Sequence, residues 1–118
     1  MHRLLYAALT AALLSSSVAD ASTYAACTID HQPARIVHSV VPEYPAIAKL
    51  QGFTGMSVIR VDLSETGAVL GSSVSVSSGN SILDRAAIRT ARAMVYAPET
   101  RACNAISGSY AVQVEFSD

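Results

Sequence analysis

The sequence predicts an α+β domain: a three-stranded antiparallel sheet whose long strands, numbered along the chain, lie in the order 2-1-3, with two helices on one face. Three observations carry this. Tyr110, Val112, Val114 and Phe116 alternate with Ala111, Gln113 and Glu115, the period of two expected of a half-buried strand. Two further strand-like runs flank the turn signal Ser64-Glu65-Thr66-Gly67, which marks a hairpin. Between the hairpin and the last strand, Leu83, Ala87, Ala91 and Met94 recur at steps of four, four and three, an apolar helix stripe with Arg85, Arg89 and Arg92 on the outer side.

In chain order, Met1-His2-Arg3 sets a positive charge ahead of the apolar run Leu4 to Leu14, and small residues Ala19 and Ala21 follow. This is the layout of a secretory signal over residues 1–21, cut after Ala21. The run is shorter than the roughly 20 residues of a spanning helix, so no stable membrane span is expected once the signal is removed. An uncleaved anchor is the other reading of the same residues.

Residues 22–40 show no period and contain Pro33, which reads as an irregular arm with a short strand at Ala34 to Val40. Residues 41–118 read as one domain. Pro42-Glu43-Tyr44-Pro45 opens a helix of about two turns through Ile47, Ala48 and Leu50, which Gly52 ends. Gly55 to Leu63 is a strand with apolar residues on both faces, as suits the middle of a sheet. After the turn, Ala68 to Ser77 is its partner, with Ala68, Leu70, Val74 and Val76 expected inward and Ser73, Ser75 and Ser77 outward. Ser81-Ile82-Leu83-Asp84 reads as a capping box at the start of the second helix, and Pro98 as its stop. A loop over Glu99 to Ala105 leads to the last strand. Because that strand parallels the second, pairing it antiparallel puts the first in the middle.

Composition narrows function. The 118 residues carry 8 Lys+Arg against 9 Asp+Glu, a net charge of -1 spread singly along the chain, which excludes a nucleic-acid footprint. The sequence holds no phosphate loop, dinucleotide fingerprint or zinc motif, so neither a cofactor nor a metal is expected. Asp30, His31, His38 and Ser39 could suggest hydrolase or metal chemistry, but they lie in the arm without a nucleophile elbow or a ligand spacing, and polar residues facing solvent are the better reading. No enzymatic activity is expected. Two cysteines in an exported chain, Cys27 and Cys103, favour a disulfide that staples the arm to the loop before the last strand.

Pro42-x-Tyr44-Pro45, Ala48, Gly52-x-x-Gly55, Gly67-x-Val69, Ser77-Ser78-Gly79, Leu83-Asp84-x-Ala86-Ala87 and Tyr96-x-Pro98 together resemble the carboxy-terminal domain of the TonB family, over residues 41 to 116. The resemblance implies a three-stranded antiparallel sheet with two helices, in a periplasmic module that binds an extended peptide segment of an outer-membrane or periplasmic protein by strand addition. It places the guest beside the last strand, at Ser107, Gly108, Ser109, Tyr110, Ala111, Val112, Gln113, Val114, Glu115 and Phe116, with Tyr44 and Pro45 close by. Two departures stand out: a tryptophan common in the family is Met94 here, and full energy transducers carry a membrane anchor and a proline-rich span, against four prolines in this chain. A binding module is therefore expected. A structural accessory or homodimer of an envelope complex is the alternative, and an energy transducer follows if the amino terminus is an uncleaved anchor.

Overall fold

A computed structural model describes residues 27–118; the predicted signal and its cut at Ala21 lie outside the described residues. The element order is β1 (His31–Gln32), β2 (Arg35–His38), α1 (Ala46–Leu50), β3 (Gly55–Leu63), β4 (Val69–Val76), α2 (Ser81–Ala93), β5 (Val95–Ala97), β6 (Glu99–Arg101), β7 (Asn104–Ile106) and β8 (Gly108–Phe116). The principal sheet runs β4-β3-β8 with both pairings antiparallel, so the expected order 2-1-3 is found. Two small sheets, β1-β6-β7 and β2-β5, join the arm to the segments around it.

Ile59, Val61 and Leu63 of β3 and Val112, Val114 and Phe116 of β8 point to one side of the sheet and are buried. Above them lie Leu83, Ala86, Ala87 and Ala91 of α2, Ala48 of α1 and Tyr96. Alanines on the inner helix face let α2 approach the sheet closely, and each large side chain removed from water contributes about 1.5–3 kcal/mol. Arg85, Arg89 and Arg92 remain exposed, as their side of the stripe required.

The second strand departs from simple alternation. Leu63 opposes Val69, Val61 opposes Ser72 and Ile59 opposes Val74 on the helix side, whereas Val58 opposes Val76 on the outer side. The register shifts twice, leaving Leu70 and Ser75 as extra residues of two bulges. Each bulge flips the alternation, so Leu70 and Val76, expected inward, are 69% and 54% exposed.

Other boundaries also move. α1 is five residues long and Pro45 is its cap rather than part of its first turn. The cap of α2 is Asn80, not Ser81; its side-chain oxygen accepts from the amides of Ile82 and Leu83. The helix ends at Ala93, where Met94 turns extended and feeds β5, so Pro98 is not its stop. The segment expected as a loop is the hairpin β6-β7. Gly67 behaves as the hairpin signal requires: its φ is +84°, and a Cβ there would lie 2.3 Å from the carbonyl oxygen of Tyr96.

Asp84 does not close a capping box onto Ser81. Its carboxylate accepts from the hydroxyl of Ser57 at 2.8 Å, the hydroxyl of Ser77, and the amide and hydroxyl of Ser78 at 2.8 and 2.7 Å. It ties β3, the end of β4 and α2 into one knot, and Ser57 is fully buried there. Burial alone would raise its pKa, but the hydrogen bonds from Ser77, Ser78 and Ser57 outweigh it and hold the carboxyl at about 2.

A carboxyl more acidic in the fold than in the unfolded chain adds stability above its unfolded value of 3.8, and that stability is lost as pH falls toward about 2. Asp84 is partly exposed, so after screening the contribution is about 1–2 kcal/mol. Urea unfolding at pH 7 and pH 2.5 should show Asp84→Asn destabilised at the higher pH and the gap to wild type narrowing at the lower; a gap unchanged by pH would contradict this role.

Candidate functional site

The two outer strands of the principal sheet are unlike. β4 carries the bulges at Leu70 and Ser75, which twist an edge and spoil it as a template. β8 pairs with β3 through consecutive partners from Gly55↔Phe116 to Leu63↔Gly108 without a shift, so its free side presents regularly spaced amides and carbonyls. Glu115 is the single charge along its nine residues, and no lysine or proline blunts it.

The described part of the arm does not pair with this edge. β1 pairs with β6 and β2 with β5, and among the described residues no strand lies on the far side of β8. Val112, Val114 and Phe116 are buried and Tyr110 is half-buried, so these side chains serve packing as expected, while Ser109, Ala111, Gln113 and Glu115 face solvent. What the edge offers is main chain. Ser107 lies just outside β8, in the single-residue link from β7.

At the carboxy-terminal end of β8, Tyr44 packs edge-on against Phe116 with ring centroids 5.5 Å apart, and its hydroxyl donates to the carbonyl of Phe53. Burial, with the Asp118 carboxylate adding to it, pushes the Tyr44 hydroxyl upward from its ordinary pKa. Pro45 follows as the cap of α1. A helix of five residues can bury little, and only Ala48 is enclosed; Ile47, Leu50, Phe53 and Met56 stay exposed at this end of the chain's core. Sequence reasoning missed this apolar margin, although the short span between Pro45 and Gly52 was its signal.

At the other end, Cys27 and Cys103 are joined by a disulfide with Cα atoms 5.6 Å apart. Cys103 and Ala102 form the two-residue turn of the β6-β7 hairpin, with φ of 64° and 47°. Such a turn ordinarily takes Asn-Gly, and two side-chain-bearing residues are costly there. The disulfide and a 2.7 Å bond from the Ala102 amide to the Asp30 carbonyl hold it. Glu99, next to the start of β8, accepts from His31 Nε2 at 2.8 Å and Arg101 Nε at 3.2 Å. The hydrogen bond from His31 is the chief cause that lowers the pKa of Glu99, with burial opposing it and Arg101 adding to it. His38 sits apart in β2, and among the described residues no group of three or more His, Cys, Asp or Glu could hold a metal ion. Nor is any described helix long and apolar enough to cross a membrane.

A family model described as "Gram-negative bacterial TonB protein C-terminal" matches residues 40–117. The chain is also similar to "Protein tonB2" of Pseudomonas aeruginosa, with 32% identity over 80 residues. The match covers 68% of this chain but 30% of that relative's length.

Two expectations follow. In amide hydrogen exchange of the free protein, every second residue of Gly108–Phe116 should exchange fast and the alternate ones, bonded to β3, slowly; uniform protection of all nine would mean a covered edge. Replacing both Cys27 and Cys103 by serine removes a closure of 76 residues in sequence separation. This should cost up to about 4 kcal/mol in chemical denaturation, and a loss below about 1 kcal/mol would contradict the stapling role.

Proposed function

Since the chain belongs to the family of Gram-negative bacterial TonB protein C-terminal domains, we propose that it is a non-catalytic periplasmic module that takes an extended segment of an outer-membrane or periplasmic protein as a fourth strand along β8. The observation that supports this most is the contrast between the two edges: β4 is bulged, while β8 is regular, nearly uncharged and uncovered among the described residues. Strand addition needs a straight run of unpaired main-chain groups, and among the described residues β8 has one.

The energetics favour a guest that is already extended. Each added backbone hydrogen bond contributes only about 0.5–1.5 kcal/mol net, while ordering a guest residue costs about 1–2 kcal/mol. The ladder alone therefore binds weakly. Exposed Phe53 and Met56 beside the Phe116 end of β8 offer apolar area to offset that cost, and they make this end the anchor in our reading. Export by the predicted signal over residues 1–21 would deliver the domain to such a partner, and the arm over 22–40 with the domain over 41–118 completes the proposed organisation. If the amino terminus were instead retained in the membrane, the same module would serve an energy transducer; intact mass of the native protein distinguishes the two.

Titration with a panel of extended TonB-box peptides, followed by amide shifts and exchange, should protect the fast-exchanging amides of β8 and move Phe53 and Met56. The absence of any perturbation along Ser107 to Phe116 with every peptide would refute strand addition. A concentration-independent dimer in light scattering that excludes the peptides would favour the homodimeric accessory instead.

A further inference from the structure

The exposed side of α2 carries a feature that the β8 edge does not use. Arg85, Arg89 and Arg92 fall within about 60° of one another at 100° per residue, a single column along the helix. Ion pairs among the described residues engage Arg60 and Arg101 but none of these three. Among the described residues their side chains make one hydrogen bond, from Arg85 Nε to the carbonyl of Ser81 in its own helix, at 3.3 Å. Three positive charges without an ion pair among the described residues are thus gathered on one helix of a chain whose net charge is -1.

Beside this column runs a groove of about 290 Å³, lined by Val40, Val41, Ala86, Arg89, Thr90 and Ala93 together with Glu43. Val41 stands at 89% exposure on it. The groove is lined by side chains of α2 and of residues 40–43 and by none of β8, whose free edge offers main chain. We infer that this face of α2 is a second docking surface, for an acidic protein segment that lays carboxylates along Arg85, Arg89 and Arg92 and places an apolar side chain in the groove.

Charge complementarity selects the occupant. The first 26 residues of the chain hold one carboxylate, Asp20, and so do not supply an acidic segment. An anionic bilayer would also answer the arginines, but interfacial binding wants bulky apolar side chains projecting from the surface, and a recess beside the charges suits a side chain of a peptide better. Glu43, which also lines the groove, opposes the acidic guest and limits its affinity, which gives the surface a signed test.

The probe is a soluble peptide of alternating Glu and Leu, with its Gln-Leu counterpart as control, titrated into the whole protein at low and moderate salt. The Glu peptide should shift amides of Arg85–Ala93 and Val40–Glu43, leave Gly108–Phe116 unmoved, and bind about tenfold tighter than the Gln peptide. Binding should weaken as salt rises. The triple variant Arg85→Gln, Arg89→Gln, Arg92→Gln, whose positions are all exposed, should abolish the preference, and Glu43→Gln should strengthen binding. Equal affinity for both peptides, shifts confined to β8, or arginine-dependent binding to anionic vesicles in place of the peptide would each overturn the inference. Because its signals lie on α2, failure at β8 and failure here are read separately.

Discussion

The unbroken antiparallel ladder between β3 and β8 is the constraint on which everything else rests. Its partners run from Gly55↔Phe116 to Leu63↔Gly108 without a slip, so every second residue of both strands reaches the same side. That single register places Ile59, Val61, Leu63, Val112, Val114 and Phe116 in the core. The same regularity spaces the main-chain groups on the far side of β8 evenly. A bulge here would have turned half of these side chains outward and disordered the edge at once, so core packing and a straight edge are one requirement.

β4 shows what the fold tolerates when that requirement is absent. It contributes little to the core, so it accommodates extra residues at Leu70 and Ser75. Their effect is to leave a twisted border, the usual defence of an exposed strand against unwanted pairing. The fold thus defends one border of its sheet and leaves the other regular. The ends of β8 are meanwhile held by local devices: Tyr44 against Phe116 at one, and the β6-β7 hairpin with its disulfide at the other.

Long periodic elements were legible in the sequence, and most of the shortest ones were not. β8 and α2 each repeat their period several times, which is why their type, their buried faces and the 2-1-3 order could be read from residues alone. β1, β5, β6 and β7 have two or three residues each, too few to display a period, whereas β2, Arg35–His38, lies within the short strand expected at Ala34 to Val40. The inward face of β4 was misread because counting by twos has no means of detecting an inserted residue in Val69-Leu70-Gly71-Ser72-Ser73-Val74-Ser75-Val76. Asn80 and Ser81 are both good caps one position apart, so only coordinates could separate them. The turn at Ala102 and Cys103 had no glycine to announce it; the tether to Cys27 takes the place of that signal. Of the candidate site, the strand was legible from its own alternation, whereas the state of its far side depends on where the arm goes, which no local pattern encodes.

Asp84 bears on how the two surfaces relate. Its carboxylate gathers hydroxyls from Ser57 on β3 and from Ser77 and Ser78 after β4, while its backbone belongs to the first turn of α2. The arginine column begins at the next residue, Arg85, and Ser57 lies opposite Val114 of β8 in the ladder. A partner lifting α2 would have to break these charge-assisted bonds, which are among the stronger ones a fold possesses. These bonds tie the first turn of α2 to β3 and to the end of β4, so in the proposed complex a displacement carried by a guest strand on β8 would reach α2 through them.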